Sequence, residues 1–290
     1  TKTTLPALLE HLGFTKRGNS YIKEFGDFHC QMEVDMSTQK LIYPESIVGR
    51  ERNTGFDQNE NFVVFECVHQ LLKKGYRPET IELEKVWTLG HEQKSGRADI
   101  IVYTPNRDSV LFILECKTAG SKFAKAVKQT KEDGGQIFSY WQQERTTQWL
   151  GIYASDFKDG TLSHECPVIN CSDDANIVKL AKKDESVLIY SNPKVAGNAQ
   201  NLFEVWCETY KKEMHDNLIF DDETVAYKIG VKPLRKKHLR DFTPNDRIVN
   251  RFEEILRHNN VSDKENAFNR LIALFICKLV DELSKGQDDI

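Results

Sequence analysis

The sequence lacks the features that direct a chain into or across a membrane. Its longest apolar run, "LIALFICKLV" at residues 271–280, is interrupted by a lysine. A membrane-spanning helix needs about 20 predominantly apolar residues in a row. The N-terminal stretch "TKTTLPALLEHLGF" has neither the basic start nor the apolar centre of a secretion signal. We therefore expect a cytoplasmic protein with no membrane partner.

Metal-binding and nucleotide-binding motifs are also missing. The seven cysteines form no CxxC pair and show no zinc-type spacing with histidine. Cys166 and Cys171 are close in sequence, but zinc would need further ligands, so no metal is predicted there. The dispersed, odd set of cysteines predicts free thiols in a reducing compartment. A Walker A loop is absent too, so ATP-driven translocation cannot be assigned to this chain.

What is present is an ordinary, rather polar composition. Of the 290 residues, 39% are hydrophobic and 29% are charged, and the net charge is −4. A chain of this length can bury a core, as one large domain or as a few small ones. The negative net charge argues against a uniformly basic nucleic-acid binder, but it is compatible with a local basic stripe.

Three regions are predicted along the chain, with no internal repeat. Residues 1–55 combine a short amphipathic helix with a small antiparallel meander. Residues 56–195 alternate helices and strands, which is typical of an α/β domain, and "SVLIYS" at 186–191 is interpreted as its last strand. Residues 196–290 are predicted to be mostly helical. The last helix has a broad apolar face, so we expect a fragment of a longer protein or a chain that docks on a partner.

Helix boundaries in the middle region are predicted from capping residues and from glycines that end helices. "NENFVVFECVHQLLKKGY" has apolar residues at helical spacing, with Asn59 as the expected cap and Gly75 as the expected stop. A second helical segment, "SKFAKAVKQTKEDGGQIFSYWQQE", is expected to break at Gly134-Gly135. "WLGIYASDF" then predicts a buried strand.

The segment "GRADIIVYTPNRDSVLFILECK", residues 96–117, carries charges where strand interiors rarely hold them. Two apolar runs around a polar turn predict a β-hairpin. Side chains alternate along a strand, so Glu115 and Lys117 share one face and Cys116 points to the other. A turn centred near position 107 sets Asp99 opposite or near Glu115. Such a cluster is costly unless a cation such as Mg²⁺ neutralises the carboxylates.

These residues resemble the motif of a nuclease superfamily. Asp99 followed by Glu115-Cys116-Lys117 matches the D…(D/E)xK pattern of PD-(D/E)xK nucleases, and "GRAD" resembles the G-R-x-D variant of restriction enzymes. Gln136 and Tyr140 fit the Q-x-x-x-Y element of type I restriction motor subunits and RecB-like nucleases. They lie one helical turn apart and share a face. The resemblance covers roughly residues 56–155.

The resemblance implies a restriction-endonuclease-like core, with a mixed central sheet flanked by helices, and a Mg²⁺-dependent DNA endonuclease that also accepts Mn²⁺. Asp99 and Glu115 would bind the metal. Lys117 would activate or position the attacking water, and Gln136 and Tyr140 would shape the site. Purely structural explanations are also possible. Asp99, Glu115 and Lys117 could form a cross-strand ion pair on a surface hairpin, and Gln136 and Tyr140 could belong to an ordinary amphipathic helix.

A third acid is expected at the start of the preceding helix. Glu60 resembles the acidic helix start of the same nuclease domains, and it would be a further metal ligand. Glu66 competes for this role, but it lies six residues on and faces a different direction. Alternatively, Glu60 is a first-turn acid that only interacts with the helix dipole.

Residues 245–282 are similar to the helical segment that leads into N6-adenine methylase domains of restriction-modification proteins. No NPPY motif or clear glycine-rich cofactor loop is present, so S-adenosylmethionine is implied only if a methylase lies outside this chain. The implied partners are double-stranded DNA and methylase and specificity regions or subunits.

Basic residues near the motif are candidates for contacts with DNA phosphates, although solvated surfaces explain them equally well. The candidates are Arg97, Lys122, Lys125, Lys128, Lys236 and Lys237. Two other interpretations stay open. The chain could be a nuclease fold that only binds DNA or assembles with a methylase, or an adaptor whose motif arose by chance.

Overall fold

A computed structural model describes most of the chain. The described residues are 5–52, 54–87, 96–192, 198–210, 214–231, 264–284 and 286. They belong to two compact units, residues 1–230 and 231–290. The boundaries expected near 55 and 195 both lie inside the first unit, because the residues on the two sides of each boundary share an apolar core.

The first unit begins with a helix and an antiparallel four-stranded meander, as predicted. The strands are adjacent in chain order. Polar turns separate them and alternate residues are buried, so one face of the meander packs inward. The elements are α1 (Leu5–His11), β1 (Thr15–Arg17), β2 (Ser20–Phe25), β3 (Cys30–Asp35) and β4 (Lys40–Ile42).

A mixed sheet forms the centre of the unit. Its strands are β5 (Ile81–Val86), β6 (Arg97–Tyr103), β7 (Val110–Cys116), β8 (Trp149–Lys158), β9 (Thr161–Glu165) and β10 (Val168–Asn170). The order across the sheet is β10-β8-β7-β6-β5, with β9 paired to β8. Strands β7 and β8 are parallel, and the other pairs are antiparallel. The expected α/β architecture with a mixed central sheet is confirmed.

Helices flank the sheet. They are α2 (Asn59–Lys74), α3 (Ser121–Asp133), α4 (Gly135–Gln143), α5 (Ala175–Ala181) and α6 (Ala199–Thr209). Asn59 is the first residue of α2 rather than its cap, which is Gln58. Gly75 ends α2 with φ of 104°, as predicted. The break between α3 and α4 occurs at Gly134, where φ is 87°.

Two apolar clusters lie on opposite faces of the sheet. One cluster joins α2 and the meander to the sheet through residues that include Met32, Val68, Leu71, Ile100 and Leu114. The other joins α4 and α6 to the sheet through residues that include Ile101, Ile113, Phe138 and Trp206. Both faces of the central strands are therefore buried, which explains their nearly continuous apolar sequence.

The strand predicted at 186–191 is wrong. This segment forms turns. The backbone N–H groups of Tyr190 and Ser191 donate to the Asp173 carboxylate at 2.9 and 3.0 Å, in place of a strand partner. The Tyr190 ring stacks on Tyr210 with centroids 4.4 Å apart. Packing of the buried Tyr190, rather than pairing with a strand, thus holds this apolar run as a loop.

The second unit is described only in part. Helix α7 (Lys264–Ser284) matches the apolar helix predicted at its end, and Leu274, Leu279 and Leu283 on it are exposed. The helix predicted around 246–260 lies outside the described residues. Among the helices that the structure describes, none combines the length and the apolar content needed to cross a membrane.

Candidate active site

Strands β6 and β7 form the predicted hairpin, and its open end gathers the charged residues. Ile100 pairs with Leu114 and Ile101 pairs with Ile113. Continuing this register places Asp99 opposite Glu115. The backbone N–H of Cys116 donates to Asp99 Oδ2 at 2.7 Å, which fixes the Asp99 carboxyl against β7.

Lys117 lies between two acids. Its Nζ forms an ion pair and hydrogen bond with Glu115 Oε1, and it lies 3.7 Å from Glu60 Oε1. Glu60 is in the first turn of α2, so the helix start brings it to the end of β7. Glu66 instead accepts hydrogen bonds from Tyr153 Oη at 2.6 Å and Gln70 Nε2 at 2.7 Å inside the core. Of the two competing acids, Glu60 is the one that contacts Lys117.

Of the pair expected on α4, only Tyr140 reaches the acids. The buried Tyr140 hydroxyl lies 2.8 Å from Glu115 Oε2 and 2.7 Å from the carbonyl oxygen of Arg97. The Gln136 side chain is exposed, and no hydrogen bond joins it to an acid within the described part of the chain. The spacing of the pair fixed their common direction but not how closely each approaches the sheet.

The "GRAD" segment has a physical explanation at each position. A Cβ at Gly96 would lie 2.8 Å from Cε1 of Tyr140, so the tyrosine ring needs a glycine there. Ala98 is fully buried. Arg97 and Asp99, two residues apart, share the other face of β6. Thus Gly96 admits the ring whose hydroxyl contacts Glu115.

Burial and mutual repulsion disturb the protonation of the acids. Burial raises the pKa of Asp99 well above its ordinary value, and the Glu115 carboxylate raises it further. Burial also raises the pKa of Glu115, although Lys117 and Tyr140 oppose this rise. Burial alone would lower the pKa of Lys117, but the carboxylates of Glu115, Asp99 and Glu60 outweigh it and raise that pKa.

A buried acid on β5 was missed by the sequence reasoning. The pairs Leu83–Ile100 and Lys85–Ala98 place Glu84 opposite Asp99. The Glu84 side chain has no exposed surface, and its Oε2 forms an ion pair with Arg97 Nε. Carboxylates thus occupy neighbouring positions on β5, β6 and β7. The signal in the sequence was the acid-bearing strand "IELEKV" directly before the hairpin.

The donor set fits a hard divalent cation in charge and chemistry, although not with Glu60 as a third ligand. No group of three His, Cys, Asp or Glu side chains in the described residues has the arrangement of a metal site. Lys117 stands between Glu60 and Glu115, which leaves Asp99 and Glu115 as the oxygen donors. Four carboxylates lie at this end of the described sheet, and two cations form ion pairs with them. The four acids are Glu60, Glu84, Asp99 and Glu115, and the cations are Arg97 and Lys117.

Basic side chains extend from the site along α3. Lys122, Lys125 and Lys128 are exposed. Lys122 borders a cavity of about 420 Å³ that Glu60 also lines, whereas Lys128 lies 3.6 Å from Glu132 in an exposed ion pair. The other predicted DNA-binding residues, Lys236 and Lys237, are outside the described residues.

Known protein families and curated proteins offer no match to this chain. What the chain does is therefore inferred from the side chains gathered around Asp99 and Glu115.

Proposed function

We propose that this chain is a metal-dependent deoxyribonuclease with the PD-(D/E)xK architecture, and that it is the restriction part of a restriction-modification system. The observation that carries the proposal is the meeting of Asp99, Glu115 and Lys117 at the open end of one buried hairpin. Two carboxyls with raised pKa values beside a lysine are costly to keep in a core. A substrate-binding or catalytic role accounts for that cost.

Asp99 and Glu115 would hold Mg²⁺, with Mn²⁺ as a substitute. When bound, such an ion neutralises the carboxylates and stabilises the charge that develops on the phosphate. The backbone N–H of Cys116 holds Asp99, and Tyr140 holds the second oxygen of Glu115. Both donors fix the direction of an acid before any ligand arrives.

Lys117 would act as a cation. Because its pKa is raised, it keeps its proton at neutral pH and is a hydrogen-bond donor rather than a base. A donor in this position can orient the attacking water and stabilise the oxygen that forms the new bond to phosphorus. Glu60 and Glu115 restrict where the ammonium group can lie.

The lysines of α3 would contact the DNA backbone. Lys122 is nearest the acids, since it shares a cavity with Glu60. Lys125 follows at helical spacing on the same exposed helix. Contacts of this kind position DNA without reading its sequence, and they weaken as the salt concentration rises.

The test is cleavage of supercoiled plasmid and linear duplex in Mg²⁺, Mn²⁺, Ca²⁺ or EDTA. We expect the parent to cut in Mg²⁺ and Mn²⁺, and Asp99→Asn, Glu115→Gln and Lys117→Met to lose about a hundredfold or more of that rate. Glu33→Gln, a matched change in the meander strand β3, should cut like the parent.

Wild-type cleavage by Asp99→Asn or Lys117→Met would contradict the proposal. A parent that binds duplex DNA and cuts it with none of these ions, even when joined to methylase and specificity regions, would favour the alternative of a binding or assembly module.

A further inference from the structure

Glu84 is a buried acid for which the proposed chemistry has no role. Its side chain is fully buried, and the register of β5 on β6 sets it beside Asp99. The charge of Glu84 is one of the influences that raise the pKa of Asp99. A carboxylate in such a place makes the site more difficult to ionise, so its presence calls for an explanation.

The backbone at Glu84 is as unusual as its burial. Its φ is +55°, in the left-handed region that favours glycine. Arg52 Nη1 donates to the Glu84 carbonyl oxygen at 2.9 Å and so holds this conformation. A left-handed residue inside a strand redirects its side chain, and such irregularities are common beside active sites.

The redirected carboxylate contacts Arg97. The ion pair involves Arg97 Nε, while 59% of the arginine side chain stays exposed. Arg97 lies two residues before Asp99 on the same face of β6, at the edge of the site. A guanidinium is a planar group whose donors match the oxygens of a phosphate.

We infer that Glu84 is a positioning residue, which holds the Arg97 guanidinium at the edge of the site to receive a nonbridging oxygen of the scissile phosphate. The inference rests on the proposed nuclease function. An exposed arginine loses side-chain freedom when it binds a ligand, and a partner that already restricts it reduces this loss. Glu84 would therefore act on DNA only through Arg97.

A double-mutant cycle tests this dependence. Glu84→Gln, Arg97→Gln and the double variant are compared with the parent in single-turnover cleavage, which gives a rate constant and a half-saturating DNA concentration. We expect each single change to weaken DNA saturation between about threefold and a hundredfold, and the double variant to match Arg97→Gln within about twofold. A merely structural pair would lower the unfolding temperature and leave DNA saturation unchanged.

Glu82→Gln is the matched control. Glu82 lies on the same strand, where it pairs with Lys85 at 3.2 Å and accepts a hydrogen bond from Tyr103 Oη at 2.6 Å. It should saturate with DNA like the parent. Arg97→Lys is a second variant, which removes the planar group from an exposed position and keeps the charge. This variant leaves the buried Glu84 unchanged. If it saturates with DNA like the parent, the inference is overturned.

The outcomes separate this inference from the proposed function. Suppose that the parent cuts DNA and Asp99→Asn does not. If the losses in DNA saturation from Glu84→Gln and Arg97→Gln then multiply in the double variant, the role of Glu84 is overturned and the proposed function stands. If the parent does not cut, anisotropy of a labelled duplex in Ca²⁺ replaces cleavage for the same variants. Non-additive weakening there supports the inference. Equal affinities, additive losses or no binding by the parent overturn it.

Discussion

Both faces of strand β7 are buried, but they differ at the end of the strand that carries the site. On one face, Glu115, followed by Lys117 just beyond the strand, meets Asp99 and Tyr140. On the other face, Leu114 and Cys116 belong to the apolar core that contains α2. The apolar face supplies the burial that keeps the charged face in place. The charged end of β7 therefore lies on a strand whose opposite side is held in the apolar core.

The cysteines of the apolar face are part of this support. Cys67 on α2, Cys116 on β7 and Cys166 after β9 are fully buried free thiols, as the dispersed cysteines predicted. Burial raises the pKa of Cys116 to about 11, although it lies between two candidate catalytic residues. A buried thiol with a raised pKa is unreactive, so Cys116 is expected to pack rather than to react.

Removing apolar volume behind the site should have the largest effect on stability. Leu114 is fully buried on β7. Leu114→Ala should lower the free energy of unfolding by about 2–5 kcal/mol, because it removes buried surface and leaves a cavity. Urea unfolding followed by circular dichroism measures this change. Val86→Ala, at an exposed position of β5, is the control, and an equal loss there would contradict the comparison.

Placing a charge in the apolar core around α2 should have the next largest effect on stability. Burial lowers the pKa of His69 on α2 to about 4 from 6.5, with Lys23 and Lys73 adding to the effect. Between these values the unfolded chain binds a proton that the folded chain does not, so stability is full above pH 6.5 and falls as the pH drops toward 4. The loss should reach about 3 kcal/mol.

Urea unfolding at pH 7 and pH 5 measures the first part of that loss, about 2 kcal/mol, because pH 5 still lies above the folded pKa of about 4. His69→Leu cannot take up the proton, so it should lose less stability than the parent between these two pH values. An identical pH dependence for both proteins would show that His69 is not responsible.

Disturbing the charged face through Tyr140 should have a smaller effect. A Cβ at Gly96 would meet the Tyr140 ring, so Gly96→Ala should cost about 1–3 kcal/mol and displace the hydroxyl from Glu115. We expect the rate of DNA cleavage to fall when the hydroxyl is displaced. Gly26→Ala, at an exposed position with nothing near its Cβ and without a positive φ, tests whether any new methyl group is harmful. Unimpaired cleavage by Gly96→Ala would contradict the role given to the ring.

Removing one charge from the site should change stability least, and in the opposite direction. Burial and Glu115 disfavour the Asp99 carboxylate, whereas an asparagine there keeps an oxygen for the Cys116 N–H. Asp99→Asn should therefore raise the free energy of unfolding by about 1 kcal/mol while it slows cleavage about a hundredfold or more. Thermal unfolding measures this change, with Asp27→Asn at an exposed position as the matched control. A clear destabilisation would mean that Asp99 serves the fold.

Local patterns predicted much of this architecture. Alternation along the strands and a turn centred near position 107 were enough to bring Asp99 to Glu115, although the register shifts between Val102 and Tyr103 near the turn. Both rules act within about twenty residues. Glu84 could not be found in this way, since its place depends on the register of β5 against β6. The run at 186–191 was misjudged because a short apolar segment looks the same in a strand and in a packed loop. Gln136 shows that helical spacing gives a direction but not a distance.

The break at Gly134 and Gly135 has a consequence for how this protein can change. Both glycines have positive φ, and a Cβ on Gly134 would lie 3.1 Å from Phe138 Cδ2. The break ends the lysine-bearing helix α3 before the helix that carries Tyr140 begins. The exposed lysines and the buried tyrosine are thereby carried on separate helices. The α3 lysines can therefore be replaced without removing any of the buried side chains with which α4 packs on the sheet.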